Sequence, residues 1–245
     1  MRPKAILFDL DDTLISPHLH RTIFWRDAFT EVWRQTHGDG ADLPDDLEDM
    51  VQGIDESAKH FWSDPERHRT GRLDLSTARF EILNGGLNKP NRFHKDLLWA
   101  IAERCGALMF ERTSLYPDAI KTLEALKAEG IDLALITNGA SDAQRAKINR
   151  FELEPHFLHI QIEGEAGIGK PEPEAYHQAM AALGTGPKDC WIVGDNLEWE
   201  VAAPQRLGIY AIWRDPRGNG VLPGDTAVTP DRVVTKLTDL LDFNQ

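Results

Sequence analysis

The spacing of apolar positions divides the chain into three textures. The first is a short apolar run rich in β-forming residues, Ala5 to Phe8, which stops abruptly at Asp9-Leu10-Asp11-Asp12-Thr13. A continuous apolar stretch of this length reads as a strand buried on both faces. In the second texture, apolar residues recur at helical spacing. Residues 18–35 carry Leu19, Ile23, Phe24, Phe29, Val32 and Trp33 in this way. Further helices are predicted at 47–62, 76–83 and 95–110, the third stopped by Gly85-Gly86. Asp64-Pro65 breaks the second, and residues 67–72 read as a basic loop. No convincing strand follows Leu14 in this stretch. The third texture starts at Tyr116, where helices at 117–129, 141–151, 173–183 and 198–207 alternate with strands at 131–136, 157–162, 190–193 and 209–213. The segment 230–241 begins like a strand and ends like a helix.

Strands alternating with helices predict an α/β fold with a mostly parallel sheet covered on both faces. The strand at Ala5 must belong to that sheet, because the chain places no other strands near it. The expected organisation is therefore an α/β core domain from residues 1–15 and 113–245, with residues 16–112 inserted as a helical bundle. The bundle is expected to act as a cap over the carboxyl edge of the sheet, with joints near Ser16-Pro17 and 113–116.

Composition narrows the function. The 245 residues are 41% apolar and 27% charged, ordinary for a globular protein. A net charge of −13 argues against a nucleic-acid partner, which needs a basic surface. It leaves small phosphorylated substrates open, since these require only a local positive site. No apolar run approaches the ~18 residues of a membrane span. With no signal peptide read at the N-terminus, and with Cys105 and Cys190 forming no motif, a cytoplasmic protein with reduced thiols is expected.

The chemistry sits at predicted strand ends. Positions i and i+2 of a strand share a side, so Asp9 and Asp11 emerge together. Thr137-Asn138-Gly139 and Gly194-Asp195-Asn196 end two further strands, and Gly169-Lys170-Pro171 precedes a helix. In a parallel sheet these ends share one edge, where ligands bind. The set suits phosphoryl transfer. Asp9 and Asp195 can hold Mg2+, while Thr137 Oγ1 and the N–H groups after it can hold phosphate oxygens. Lys170 supplies positive charge, Asp9 can attack phosphorus, and Asp11 can serve as general acid and base. Each motif also has a plainer reading: Asp12 or Thr13 as a cap, Thr137 as a helix N-cap, Lys170 as a solvent lysine, Asp195-Asn196 as a turn. These would all have to hold together to remove the site.

Asp9-Leu10-Asp11-Asp12-Thr13, Thr137-Asn138-Gly139, Lys170-Pro171 and Gly194-Asp195-Asn196, in this order, resemble the haloacid dehalogenase superfamily, specifically the members with a helical cap after the first motif. The resemblance spans essentially the whole chain. It implies a doubly wound sheet with the first strand central, and a phosphatase using Mg2+ and an aspartyl-phosphate. It also implies that Asp9 is nucleophile and metal ligand, and that Asp11 is the acid/base, with its main-chain carbonyl on the metal. Thr137, Asn138 and Lys170 would bind substrate phosphate, and Asp195 the metal. One departure is Glu200, where the family often has a second Asp; it is expected to support metal-bound water. The substrate is expected to be a small phosphorylated metabolite. Alternatives of the same family are a 2-haloacid dehalogenase, for which Asp11 and Asp195 would be wasted, and a phosphomutase. An alternative of another class is a phospho-accepting switch, which is about half this length and lacks a cap. Arg72, in the basic stretch, is the candidate for substrate contact in the cap; otherwise it is a solvated residue. His18, His20, His156 and His159 read as structural or surface residues. Trp25, Trp33, Trp62 and Trp99 read as bundle core.

Overall fold

The computed structural model describes residues 2–16, 21–87, 92–224 and 226–243. The chain forms two compact units, Met1–Ser16 with Ser114–Gln245, and Pro17–Thr113.

The first unit is built on strands β1 (Ala5–Phe8), β2 (Ile15–Ser16), β3 (Ser114–Leu115), β4 (Asp132–Thr137), β5 (His159–Ile162), β6 (Cys190–Gly194), β7 (Tyr210–Arg214) and β8 (Arg232–Val234). Six of them form one sheet in the order β5-β4-β1-β6-β7-β8. Every pairing in that sheet is parallel, and β1 sits between β4 and β6 with Phe8 opposite both Leu135 and Val193. This is a doubly wound α/β sheet. The alternation of β1 explains its unbroken apolar sequence. Ile6 and Phe8 enter the core on one face with Leu123, Leu126 and Ile148, while Ala5 and Leu7 enter the other with Tyr176, Ala179 and Ile192. Helices Ala119–Ala128, Ser141–Arg150 and Pro173–Ala182 link successive strands.

Two sequence expectations need correction in this unit, and one element was not expected. A strand does follow Leu14: Ile15–Ser16 pairs antiparallel with Ser114–Leu115, and the Tyr116 N–H donates to the Leu14 carbonyl at 3.0 Å. Two residues are too few to show a period, so the ribbon was invisible to patterning. A short helix at Glu163–Ala166 follows β5 directly. The helix expected at 198–207 begins instead as a wide π-helical turn, Leu197–Ala202, and only then becomes α-helical at Ala203–Arg206. The Asn196 carboxamide oxygen accepts the N–H groups of Glu198 and Trp199, and Pro204 has no N–H to continue a regular ladder.

The second unit is helical: Arg21–His37, Leu47–Ser63, Pro65–Gly71, Leu75–Gly86 and Lys95–Arg112. Its core is apolar, with Ala28, Phe29, Ile54, Leu83, Ile101 and Cys105 fully enclosed. Of the four tryptophans, Trp25 is buried, Trp33 and Trp62 pack against the core, and Trp99 is stacked on Phe80. The stretch read as a basic loop is mostly a helix, Pro65–Gly71. Pro65 is pre-set for its first turn, and the Asp64 carboxylate accepts the Arg67 N–H at 2.8 Å. The third predicted helix runs past residue 83 and takes in Gly85 and Gly86 as its last two residues before it ends. A Cβ on Gly86 would overlap the main chain of Gly53 and Ile54, so these glycines permit two helices to cross closely. Residues 17–20, with the expected joint at Pro17 and the histidines His18 and His20, lie outside the described residues. No described helix is long and apolar enough to cross a membrane.

Candidate active site

The carboxyl ends of β1, β4 and β6 and the turn before helix Pro173–Ala182 carry Asp9, Thr137, Asp195 and Lys170. Asp9 is the first residue beyond β1. Its N–H is tied to the Val193 carbonyl at 3.0 Å, which continues the sheet ladder to the edge of the crevice. Its carboxylate is nearly enclosed, with the residue 8% exposed. Lys170 Nζ donates to Asp9 Oδ1 at 2.6 Å and Thr13 Oγ1 donates to Asp9 Oδ2 at 3.1 Å. One side chain of the first motif thus fixes another across a single turn, so Thr13 is more than a cap. Asp12 sits in that turn with a left-handed backbone, φ 58°, which Asp tolerates better than most residues. The Arg214 guanidinium secures the turn by donating to the Asp12 carbonyl at 3.1 Å.

Lys170 is fully buried, so it is not a solvent lysine. Burial works to discharge the ammonium, but the charges of Asp9 and Glu200 outweigh it and hold the pKa above the ordinary lysine range. The second partner is Glu200, whose Oε1 lies 2.7 Å from Lys170 Nζ. Glu200 thus pairs with Lys170, while its Oε2 accepts the Asn196 N–H at 2.8 Å. Burial, assisted by the charge of Asp9 and offset by Lys170, pushes the Glu200 carboxyl up to about 7. Gly194 makes this possible, because a Cβ there would overlap the Glu200 side chain.

Asn138 spends its side chain on Lys170. Its Nδ2 donates to the Lys170 carbonyl at 2.7 Å, and its Oδ1 accepts the Lys170 N–H at 2.8 Å. What Asn138 can offer a substrate is therefore its main-chain N–H. Thr137 is the last residue of β4, and helix Ser141–Arg150 is entered through Ala140, so Thr137 is not that helix's cap. Gln144 Nε2 donates to Thr137 Oγ1 at 2.5 Å and to Asp11 Oδ2 at 3.0 Å. Lys147 Nζ reaches both Asp11 oxygens at 2.8 Å. The Glu163 carboxylate, buried after β5, accepts the Gly139 N–H at 3.0 Å and steadies the loop beyond Thr137. Arg72 belongs to the helical unit, where it caps helix Pro65–Gly71; the other six candidate residues belong to the α/β unit.

Asp195 is the group most in need of positive charge. No described residue donates a hydrogen bond to its carboxylate, and only its main-chain carbonyl is engaged, by Trp213 Nε1 at 2.7 Å. Burial, then the charges of Glu200, Asp9 and Asp12, push its carboxyl well above the ordinary range, with Lys170 offsetting part. Among the described residues no three His, Cys, Asp or Glu side chains form a ready-made metal cage. Mg2+ does not require one: it commonly takes one or two carboxylates and keeps several waters. The Asp9 and Asp195 carboxylates lie close enough that the charge of Asp9 raises the Asp195 pKa, and two hard-oxygen groups so placed fit such an ion.

Sequence patterning missed Gln144, Lys147, Glu163 and Arg214. Gln144 and Lys147 sit at i and i+3 on one helix face, a spacing shared with any solvated helix.

A family model for haloacid dehalogenase-like hydrolases matches residues 3–208. The chain is 38% identical over 179 residues to the phosphoserine phosphatase of Thermus thermophilus, covering 73% of this chain and 65%, just under two thirds, of that relative. It is 27% identical over 246 residues to the glyceraldehyde 3-phosphate phosphatase of Pyrococcus furiosus, covering 98% of this chain and 92% of the relative. Among solved structures, the HAD-hydrolase YfnB of Bacillus subtilis, determined with magnesium bound, matches with a TM-score of 0.71 at 19% identity over 98% of this chain and 97% of that one. That last likeness is one of fold.

Proposed function

The chain belongs to the haloacid dehalogenase-like hydrolases, and from that premise we propose that it hydrolyses a small phosphorylated metabolite with Mg2+, through an aspartyl-phosphate on Asp9. The observation that carries this reading is the buried Asp9 carboxylate, oriented by Lys170 at 2.6 Å and Thr13 at 3.1 Å at the end of the central strand.

The steps follow from the residues. An Asp9 oxygen attacks phosphorus, a P–O(aspartyl) bond forms, and the ester P–O bond breaks. Asp11 gives its proton to the departing oxygen. Asp11 then takes a proton from water, whose oxygen attacks the aspartyl-phosphate; inorganic phosphate leaves and Asp9 is restored. Lys170, the Thr137 hydroxyl and the main-chain N–H groups after Thr137 offset the charge on the phosphoryl oxygens. Asp9, Asp195 and the Asp11 carbonyl would hold the divalent cation, which when bound supplies further positive charge to those oxygens. Dehalogenation is disfavoured because it has no use for Asp11 or Asp195.

The names of the relatives point to phosphoserine and triose phosphates as the first compounds to try. Phosphate release should be measured over a panel containing both, with sugar phosphates, phosphoglycolate and nucleoside monophosphates, in the presence of Mg2+. Turnover of at least one, abolished by EDTA and restored by Mg2+, is expected. Mg2+ should also raise the melting temperature by binding the folded state, worth about 2.7 kcal/mol at a hundredfold excess over Kd. Activity and melting temperature both indifferent to EDTA would sink the reading.

A further inference from the structure

Asp11 is held by groups that the proposed chemistry does not use. Helix Ser141–Arg150 turns Gln144 and Lys147 to the same side, and both end on Asp11, more than 130 residues away in sequence. The Lys147 ammonium has three N–H groups, and three acceptors meet it: Asp11 Oδ1, Asp11 Oδ2 and Gln144 Oε1, each at 2.8 Å. The last contact fixes which way round the Gln144 amide lies. Its nitrogen then faces Asp11 Oδ2 and Thr137 Oγ1 together. Because Thr137 Oγ1 accepts from Gln144, its own O–H remains available to donate elsewhere.

Lys147 is also poorly placed for an ordinary surface ion pair. Its side chain is 14% exposed and that of Asp11 31%. A long side chain drawn in this far loses rotamer freedom, and the partner it meets is the residue to which the proton transfer is assigned.

We infer that Lys147 is a positioning residue: through Gln144 it locks the Asp11 carboxyl and the Thr137 hydroxyl into one frame, so that the proton donor and the phosphate ligand keep a fixed separation. This rests on the reading of Asp11 as general acid. When Asp11 carries its proton on one oxygen, the other still faces the ammonium, and the carboxyl stays in place while that proton goes to the leaving oxygen. The role concerns aim, and aim matters most when the leaving group needs the proton most.

The test is a series of p-nitrophenyl, phenyl and benzyl phosphate, read as kcat/KM, which reports phosphoryl transfer to Asp9. A good leaving group departs without help and a poor one does not. Lys147→Met should lose less than ~10-fold on p-nitrophenyl phosphate and on the order of 10²-fold on benzyl phosphate, within the usual range for acid–base help. Lys147→Arg, whose fork can meet both Asp11 oxygens, should recover most of the benzyl phosphate rate. Lys147→Gln serves if the Met variant folds poorly, and should show the same steepening. Asp11→Asn should show it as well, and Lys147→Met/Asp11→Asn should be no steeper than Asp11→Asn alone. An equal loss across the series in both Lys147→Met and Lys147→Gln, or a gain, overturns the positioning role. A flat series in Asp11→Asn overturns the acid role of Asp11 itself, so the two failures are distinguishable.

Discussion

The two units bury opposite things. In the helical unit, the buried side chains among the described residues are apolar apart from Thr113, and several charges sit in partly exposed pairs such as Arg26–Glu48, Arg92–Asp46 and Arg104–Glu31, although burial pushes the Arg79 guanidinium below the ordinary arginine range. In the α/β unit, Asp9, Lys170, Glu163 and Glu200 are buried at or beside one edge of the sheet. Ion pairs at a surface contribute about 0–1 kcal/mol. Buried charges cost several kcal/mol each in desolvation, and replacing them with apolar groups often stabilises a protein. Arg214, Asp215 and Arg232 are buried in this unit too, with Arg232 donating to the main-chain carbonyls of Asp239 and Asp242, but the largest group of buried charges, Asp9, Lys170 and Glu200, is mutually paired and gains little stability from burial. The contrast therefore separates a region whose residues are explained by packing from one whose residues are explained by chemistry.

Asp9→Asn probes the contrast most sharply. It keeps the shape of the side chain and removes the attacking charge, so turnover should fall by roughly 10⁴-fold or more while the protein still folds. Steady-state assays and circular dichroism on the same sample would check this. Near wild-type turnover would remove Asp9 as nucleophile and leave the buried charges unexplained.

Leu83→Ala is the counterpart in the helical unit. Leu83 is completely enclosed in the apolar core, so its loss should destabilise that unit by about 2–5 kcal/mol. Urea denaturation would measure it. A cost below about 1 kcal/mol would mean that the helical core is looser than its burial implies.

The smallest effect belongs to a partly exposed pair near the edge of the α/β unit. The Arg145 guanidinium bonds both Glu165 oxygens at 2.7 Å and, despite some desolvation, holds the carboxyl down to about 2. A carboxyl with a depressed folded pKa stabilises the protein above its unfolded value, 4.5 here, and loses that contribution as pH falls toward about 2. Both side chains are 35% exposed, so solvent screening limits the worth to about 1 kcal/mol or less. Glu165→Gln should lower the melting temperature slightly at pH 7 and leave it unchanged near pH 2. An equal shift at both pH values would assign the effect to packing.

The sequence alone determined the alternation of strands and helices and the polar residues at their ends. These signals are local: a strand's period, a helix's start, a carboxylate at the point where an apolar run stops. Asp9, Thr137, Lys170 and Asp195 were legible because each is marked by its immediate neighbours. The two-residue strands and helix Pro65–Gly71 were not, since the strands are too short to show a period and a proline that breaks one helix also starts another. Least visible were the partners of the site. Glu200 meets Lys170, and Gln144 and Lys147 meet Asp11, only because the sheet order β4-β1-β6 sets the ends of distant segments side by side. A lysine on a helix has the same local pattern whether it faces water or a carboxylate 136 residues away. Only the tertiary structure decides which, because the choice depends on what the fold brings opposite it.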